Sequence, residues 1–250
     1  MRRIPHSAFG IRHWSAPPFH WWRTVFFLIP VISLCTIGLG TLSLASSLVD
    51  RGGRFAHRCA HWWARLILWT TGVRVRVAGA DRVREGASYV FASNHQSIYD
   101  IPIVFASLRR ELRIVAKASL GRFPFLGWHL RSAGHLLVDR ERPGAGVVKR
   151  MLRLVRDGAS VIVFPEGTRS IDGEVGRFKG GMFLLAIEAH LPVVPVTIDG
   201  SRHVMKKGRL MVCPGEVVLT VHEPIPTDDL SRDDARALAE RVRAVVAGVV

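Results

Sequence analysis

The chain has 250 residues, 48% of them apolar, and a formal net charge of +15. That apolar content excludes a disordered chain, and the length suits one domain with a sizeable core and a membrane attachment. The three cysteines, Cys35, Cys59 and Cys213, lie far apart with no C-x-x-C pairing; this argues against a disulfide framework or a zinc knuckle and fits a reducing compartment.

The charge is unevenly placed. Residues 1–160 hold 24 Lys and Arg against 8 Asp and Glu, whereas residues 161–250 hold 11 against 12. Cations beside an apolar segment suit anionic lipid headgroups, each contributing roughly 1 kcal/mol near such a surface. Nucleic acid, the usual rival for a basic chain, is the weaker reading beside a hydrophobic N-terminus, and no nucleic-acid partner is expected.

Residues 24–49 form 26 consecutive positions without a charge. As one helix they would extend about 39 Å, more than the ~30 Å hydrocarbon core of a bilayer. Pro30, Gly38 and Gly40 would permit a kink or a re-entrant turn. A cleaved signal peptide is disfavoured by the long preceding region and the length of the run, although small residues follow at Ala45-Ser46-Ser47. His20-Trp21-Trp22-Arg23 resembles an interfacial belt. Arg2, Arg3, Arg12 and Arg23 precede the run and Arg51, Arg54, Arg58 and Arg65 follow it, so the positive-inside rule chooses neither end. A segment that dips into one leaflet and returns would satisfy the rule on both flanks. Residues 54–70 read as a helix with Arg and His on one face and Trp62, Leu66 and Trp69 near another. It either lies in the membrane interface or packs on the soluble domain. Residues 1–70 are thus expected to be the membrane-attachment segment and 71–250 the domain that carries the chemistry.

From about residue 73, short apolar runs alternate with helical stretches. Residues 73–79, 89–93, 113–117, 135–138, 160–164, 193–198, 210–213 and 216–221 read as strands, and 99–108, 124–132, 144–157 and 181–190 as helices. Ser231 with Asp234 predicts the cap of a last helix, with Ala235, Leu238, Val242 and Val245 facing the core. Alternation of this kind predicts an α/β fold, a mostly parallel central sheet flanked by helices.

Four blocks carry polar groups to strand ends. Asn94-His95-Gln96-Ser97-Ile98-Tyr99-Asp100 follows the strand YVFAS. Acylating a hydroxyl requires a base, which neutral imidazole provides near pH 7, and a carboxylate on the other ring nitrogen fixes the tautomer. Positions five apart sit about 140° apart on an ideal helix, so His95 and Asp100 meet only if His95 lies in the turn and Asp100 in the first helical turn. Otherwise the block is a helix start capped by Asn94. Gly134 to Arg140 is a second strand running into charge; Arg140 either grips a phosphate bidentately or pairs with Asp139 or Glu141. In Phe164-Pro165-Glu166-Gly167-Thr168-Arg169-Ser170, Pro ends a strand and Gly allows close backbone approach. Arg169 and Glu166 are there either for an acceptor's phosphate and hydroxyl or as an ordinary polar turn. Leu191 to Val196 is too apolar for chemistry and lines a pocket or is core. His57 and His61 have the spacing of two metal ligands on a helix face, but no third ligand cluster accompanies them, and a basic interfacial helix explains them.

These blocks, in this order, resemble the glycerolipid acyltransferases typified by 1-acylglycerol-3-phosphate acyltransferase: NHxxxxD, a Gly…Arg block, a PEGT(R) block and a Pro-centred apolar block, over about residues 88–200. The resemblance implies His95 as general base and Asp100 as its orienting partner. It implies Arg140, Glu166, Gly167 and Arg169 as acceptor-binding groups, with Asn94 and Thr168 of the same blocks beside them. By a looser match, it implies Lys117 as a phosphate contact. No metal or organic cofactor is implied. The expected reaction moves an acyl group from acyl-CoA or acyl carrier protein to a lysophospholipid acceptor, 1-acylglycerol 3-phosphate, giving phosphatidic acid. Backbone N–H groups near the start of the helix after His95 are expected to stabilise the oxyanion. The expected place is the cytoplasmic membrane, in contact with membrane lipids, with the catalytic domain on the cytoplasmic side. Another lyso-lipid such as a lyso-ornithine lipid, glycerol 3-phosphate, or a non-catalytic lipid-binding role are the alternatives.

Overall fold

The computed structural model describes residues 19–50, 52–122, 126–138 and 145–249. Its first helix, α1 (Phe19–Arg23), continues through a π-helical turn at Thr24–Leu28 into α2 (Ile29–Ser46). From His20 to Ser46 these make one rod of 27 residues, long and apolar enough by length and composition to cross a membrane. The expected break at Pro30, Gly38 or Gly40 does not occur. The wide turn, in which the Ile29 N–H donates to the Thr24 carbonyl, sits immediately before Pro30 and accommodates a ring that would otherwise collide with the preceding turn. The chain reverses instead at residues 47–53. There Asp50 accepts the Phe55 N–H on Oδ2 at 2.6 Å and the Gly52 N–H on Oδ1 at 3.2 Å, which satisfies an orphan donor at the start of α3 (Arg54–Thr71).

Helix α3 packs against α2 on one side and the domain on another. Cys59, Ala64, Ile67 and Leu68 are buried, whereas Trp62, Leu66 and Trp69 are exposed. The helix therefore packs on the domain, as one of the two expected placements has it, and leaves an apolar face exposed. The α2 rod is tied to the domain at both ends. At the first, Arg23 Nη2 donates to the Thr71 carbonyl (3.1 Å) and the Val212 N–H donates to Thr24 Oγ1 (3.1 Å). At the other, the buried Arg113 donates from Nη2 to the Gly52 carbonyl (2.9 Å) and pairs with Glu111.

Seven strands follow: β1 (Val73–Ala78), β2 (Val90–Ser93), β3 (Leu112–Lys117), β4 (Leu136–Val138), β5 (Ser160–Val163), β6 (Val193–Asp199) and β7 (Gly215–Val221). They form one sheet in the order β1-β7-β6-β2-β5-β3-β4. Only the β6–β7 pairing is antiparallel, so the expected mostly parallel α/β fold is the one formed. The run 210–213 is not a strand. Its backbone donors are taken elsewhere, Val212 by Thr24 and Cys213 by the Val204 carbonyl, and no ladder is left to them.

The connections explain where a cleft opens. From β2, α4 (Asp100–Ser107) leads to β3, and α5 (Leu126–Ser132) continues to β4; α6 (Ala145–Arg156) turns back to β5 and α7 (Gly181–Glu188) carries on to β6. Right-handed crossovers in opposite directions place their helices on opposite faces. The two core clusters agree: one gathers Ile67, Leu68, Ile103 and Phe105 from α3 and α4, the other Met151, Phe183 and Leu238 from α6, α7 and α9 (Ala235–Ala247). The expected Ser231–Asp234 capping box is present, and Leu238 and Val242 are buried, but Val246 rather than Val245 completes the core face. Directions diverge between β2 and β5, so the crevice lies beyond their C-terminal ends.

Buried histidines join the hairpin turn to the sheet. His135 accepts the Ile114 N–H on Nδ1 at 3.2 Å, and burial, reinforced by the Arg113 cation, pushes it down to about 3; the same causes push His57 to about 4. Below pH 6.5 the unfolded chain binds a proton that folded His135 refuses. Its stability contribution is thus complete above pH 6.5 and is lost as pH falls, by up to about 1.4 kcal/mol per pH unit. The urea midpoint in detergent is expected to drop between pH 7 and pH 5, less steeply in His135→Asn, whose amide oxygen can replace Nδ1. An unchanged slope in that variant would place the acid sensitivity elsewhere.

Candidate active site

His95 follows β2 in a tight turn, and Asp100 opens α4. Asp100 is fully buried, and its Oδ2 accepts three hydrogen bonds: from His95 Nδ1 at 2.8 Å, from the Gln96 N–H at 2.7 Å and from the Ser97 N–H at 2.9 Å. The same carboxylate oxygen therefore closes the turn and orients the ring. With Nδ1–H committed to Asp100, the lone pair is on Nε2, the nitrogen a general base needs. The ring is stacked on Phe164, centroids 4.3 Å apart, which fixes its second degree of freedom. The Gln96 and Ser97 N–H groups are consumed by Asp100, so these two donors at the helix start are not available to an oxyanion.

The second motif loop leaves the adjacent strand β5. Glu166 accepts the His95 N–H on Oε1 (2.7 Å) and the Gly176 N–H on Oε2 (3.0 Å). Burial pushes its carboxyl up, against the pull of these two donors. The Ser170 N–H donates to the His95 carbonyl (2.8 Å), and Gln96 Nε2 to the Gly173 carbonyl (2.8 Å). Gly167 has φ +78°, the left-handed region that suits glycine, and a Cβ there would press on Lys179 at 3.3 Å. Thr168 and Arg169 line a cleft of about 820 Å³ together with Glu166, Arg177, Lys179, Lys207 and Arg236. The cleft is cationic, and its wall is the loop that holds the His95 backbone.

The other foreseen residues fall in different places. Asn94 turns away from the cleft: its amide donates to the Ile198 carbonyl and accepts the Ile198 N–H, both at 2.8 Å, and so bridges β2 to β6. Lys117 is exposed at the end of β3, on the same sheet edge, with β5 between it and β2. Arg140 lies outside the described residues. Among the described residues there is no group of three metal-ligating side chains; His61 Nδ1 contacts the Phe105 carbonyl at 2.8 Å, and the Leu112 N–H donates to His57 Nδ1 at 3.5 Å.

Sequence reasoning missed the segment after α8 (Ser201–Val204). Lys207 Nζ donates to the Arg169 carbonyl (2.8 Å) and to Thr168 Oγ1 (3.1 Å), Arg202 Nη2 to the Ile171 carbonyl (2.6 Å), and Ser97 Oγ to the Met205 carbonyl (2.8 Å). This one stretch holds both motif loops. A lone lysine 38 residues from its partner carries no spacing that would reveal it.

An acyltransferase family model matches residues 74–199. The chain is 35% identical over 206 residues to the 1-acyl-sn-glycerol-3-phosphate acyltransferase BAT2 of Brassica napus, covering 79% of this chain and 59% of that protein. It is 34% identical over 180 residues to the alpha form of the enzyme of that name from Homo sapiens, covering 71% and 64%. The chain thus spans less than two thirds of the length of either relative. The crystal structure of the 1-acyl-sn-glycerophosphate (LPA) acyltransferase PlsC from Thermotoga maritima superposes with a TM-score of 0.71 at 25% identity, over 90% of this chain and 97% of that one.

Substitutions at two positions probe this geometry. His95→Ala is expected to lower kcat by about 10²–10⁴-fold in membranes that retain the protein, the usual contribution of a general base. Lys207→Met is expected to lower activity while Lys207→Arg recovers part of it, since the arginine can still donate to the Arg169 carbonyl. Wild-type turnover by His95→Ala would remove the base from the scheme, and full activity of Lys207→Met would make that clamp dispensable.

Proposed function

This chain belongs to the acyltransferase family, and on that premise we propose that it transfers an acyl group from a thioester donor to the free hydroxyl of 1-acylglycerol 3-phosphate, forming phosphatidic acid. The observation that carries the reading is the ordered His95–Asp100 pair beside the cationic cleft built on the Glu166 loop. The acceptor hydroxyl gives its proton to His95 Nε2 as its oxygen attacks the thioester carbonyl. Buried Asp100 stabilises the imidazolium. The tetrahedral intermediate collapses, the C–S bond breaks, and the departing thiolate takes the proton back from His95. The step as proposed draws on no resident metal or cofactor and on no acyl-enzyme. In it Arg169 meets the acceptor phosphate, while Glu166 acts through the backbone N–H groups of His95 and Gly176.

We also place the chain on the cytoplasmic face of a membrane, with α2 lying along the surface rather than crossing. Both ends of α2 rest on the domain, and its exposed side carries Phe26, Phe27, Leu34 and Ile37. A groove of about 800 Å³ at the hairpin turn is lined by Leu42, Val49 and Phe55 together with Arg54, Arg58, Asp50 and Glu111. Asp50 is taken up by backbone N–H groups and Glu111 by Arg113, which leaves the two arginines to an anionic phospholipid. Residue 24 meets Val212 just before β7, and β7 starts at the edge where β6 ends, so the aromatic end of the rod stands at the edge that holds His95.

An ammonium cannot reproduce the planar fork of an arginine on a phosphate. Arg169→Lys is therefore expected to raise the KM for lysophosphatidic acid roughly ten-fold, about 1.4 kcal/mol, and to leave the KM for the acyl thioester within about two-fold. A rise confined to the thioester KM would exchange the two substrates' positions. Faster wild-type turnover of lyso-ornithine lipid than of lysophosphatidic acid would replace the acceptor.

A further inference from the structure

Helix α6 carries Lys149, Arg150, Arg153 and Arg156 and no acidic residue. At about 100° per residue these four share a sector on the order of 120°, and all are exposed. The opposite side of the helix, centred on buried Met151, packs on β4, β5 and α7. Among the described residues none of the four forms an ion pair. Like charges three and four apart repel one another, and Asp157 at the end of the helix is the one acid beside them in the chain, so this face presents a net positive charge to an anion outside the chain.

The position of α6 narrows what that anion is. Helices α2 and α3 lie beyond one face of the sheet and α6 beyond the other. With helix and sheet layers about 10 Å apart, some 30 Å of protein separates the α6 row from the apolar face of α2. A flat membrane touching α2 does not reach α6. The row is also convex, whereas small-molecule sites are concave, so a soluble macromolecule fits it better than a free nucleotide-bearing donor. The N-terminal end of α6 follows β4, and its C-terminal end feeds β5, which puts Lys149 and Arg150 toward the sheet edge that holds His95.

We propose that the basic face of α6 docks a small acidic carrier protein that delivers the acyl thioester on a flexible arm. The proposal rests on the acyltransferase reading and names the donor side of that reaction. The lipid acceptor comes from the α2 side and the donor from the α6 side, and the two meet at the edge between the layers. Complementary charge sets the encounter, so the carrier-borne donor is used in a salt-dependent way.

The test compares one acyl chain carried on acyl carrier protein and on coenzyme A, with the full chain in lysophosphatidic acid-containing micelles. For the triple variant Lys149→Glu, Arg153→Glu, Arg156→Glu, the KM for the carrier-borne donor is expected to rise at least ten-fold, with that for acyl-CoA and that for the acceptor within two-fold of wild type. Arg153→Ala, which leaves the fold least disturbed, should raise the carrier KM about three-fold. Raising salt from about 50 to 200 mM should weaken the carrier donor and spare acyl-CoA. Equal shifts for both donors, or none for the carrier, overturn the proposal. So does a wild type that uses acyl-CoA but not the carrier-borne donor, and in that case the acyltransferase reading stands. If neither donor is used, the reading beneath the proposal fails instead. Loss of binding to anionic phosphatidylglycerol vesicles in the triple variant would make α6 a membrane face and likewise overturn it.

Discussion

One carboxylate oxygen organises this site. Asp100 Oδ2 takes the ring of His95 and two successive backbone N–H groups, so the turn cannot form without the pair, nor the pair without the turn. A fully buried carboxylate is costly to desolvate unless donors surround it; three converging donors meet that need at Oδ2, while Oδ1 has no hydrogen-bond partner among the described residues. A second, half-buried acid repeats the device one strand away, where Glu166 bridges the His95 and Gly176 N–H groups. Neither acid acts as an isolated charge. Each is the hub of a loop, and the two loops share His95, whose N–H, carbonyl and ring are all engaged. Such over-determination holds a base within the narrow tolerance that catalysis demands.

The sheet supplies the space in which these hubs meet. Because the chain leaves β2 in one direction and β5 in the other, the helices part above their C-terminal ends. Asn94 fastens β2 to β6 and the segment after α8 fastens both loops from outside. The cleft wall is therefore built from stretches far apart in sequence, residues 166–181 with Lys207 and Arg236, and backbone hydrogen bonds fasten it to the turn that carries His95. A glycine with positive φ at Gly167 lets the loop fold back onto Lys179 without a side chain in the way.

What could be read beforehand depended on whether the deciding interaction was local. Most strands were legible, because buried parallel strands are continuous apolar runs bounded by turn residues. The meeting of His95 with Asp100 was legible as one of two alternatives, since positions five apart can meet only across a turn and a first helical turn; the other, a helix start capped by Asn94, is not what forms. The run 210–213 misled, because Val212 and Cys213 give their N–H groups to Thr24 and Val204, partners that no window of sequence contains. Pro30 misled for a subtler reason. Its ring does demand an adjustment, but a single π turn supplies it without a bend. The last core position fell one residue later than counted, because Leu238, Val242 and Val246 continue a row of steps of four along α9 rather than closing with a step of three. Residue types alone also left open whether Asn94 and Glu166 face a ligand or the backbone; both spend their polar atoms on backbone groups.

The charge of the chain reads differently once it is distributed over the fold. In the sequence, a basic excess of this size beside an apolar run pointed first to lipid headgroups, with nucleic acid as the weaker reading. In space the cations form three groups with separate surroundings. Arg54 and Arg58 border the groove at the hairpin turn, beside the exposed face of α2. Arg169, Arg177, Lys207 and Arg236 line the cleft next to His95, where a concave wall and partial burial favour a compact anion over a surface. Lys149, Arg150, Arg153 and Arg156 stand on a convex helix across the sheet from α2. Charges at a surface are screened beyond about 8–10 Å at physiological salt, so these groups cannot act as one field over the thickness of the domain. On the proposed reading, a lipid acceptor, its phosphate and a carrier-borne donor must be attracted at three places at once, and this partition of positive charge suits that task.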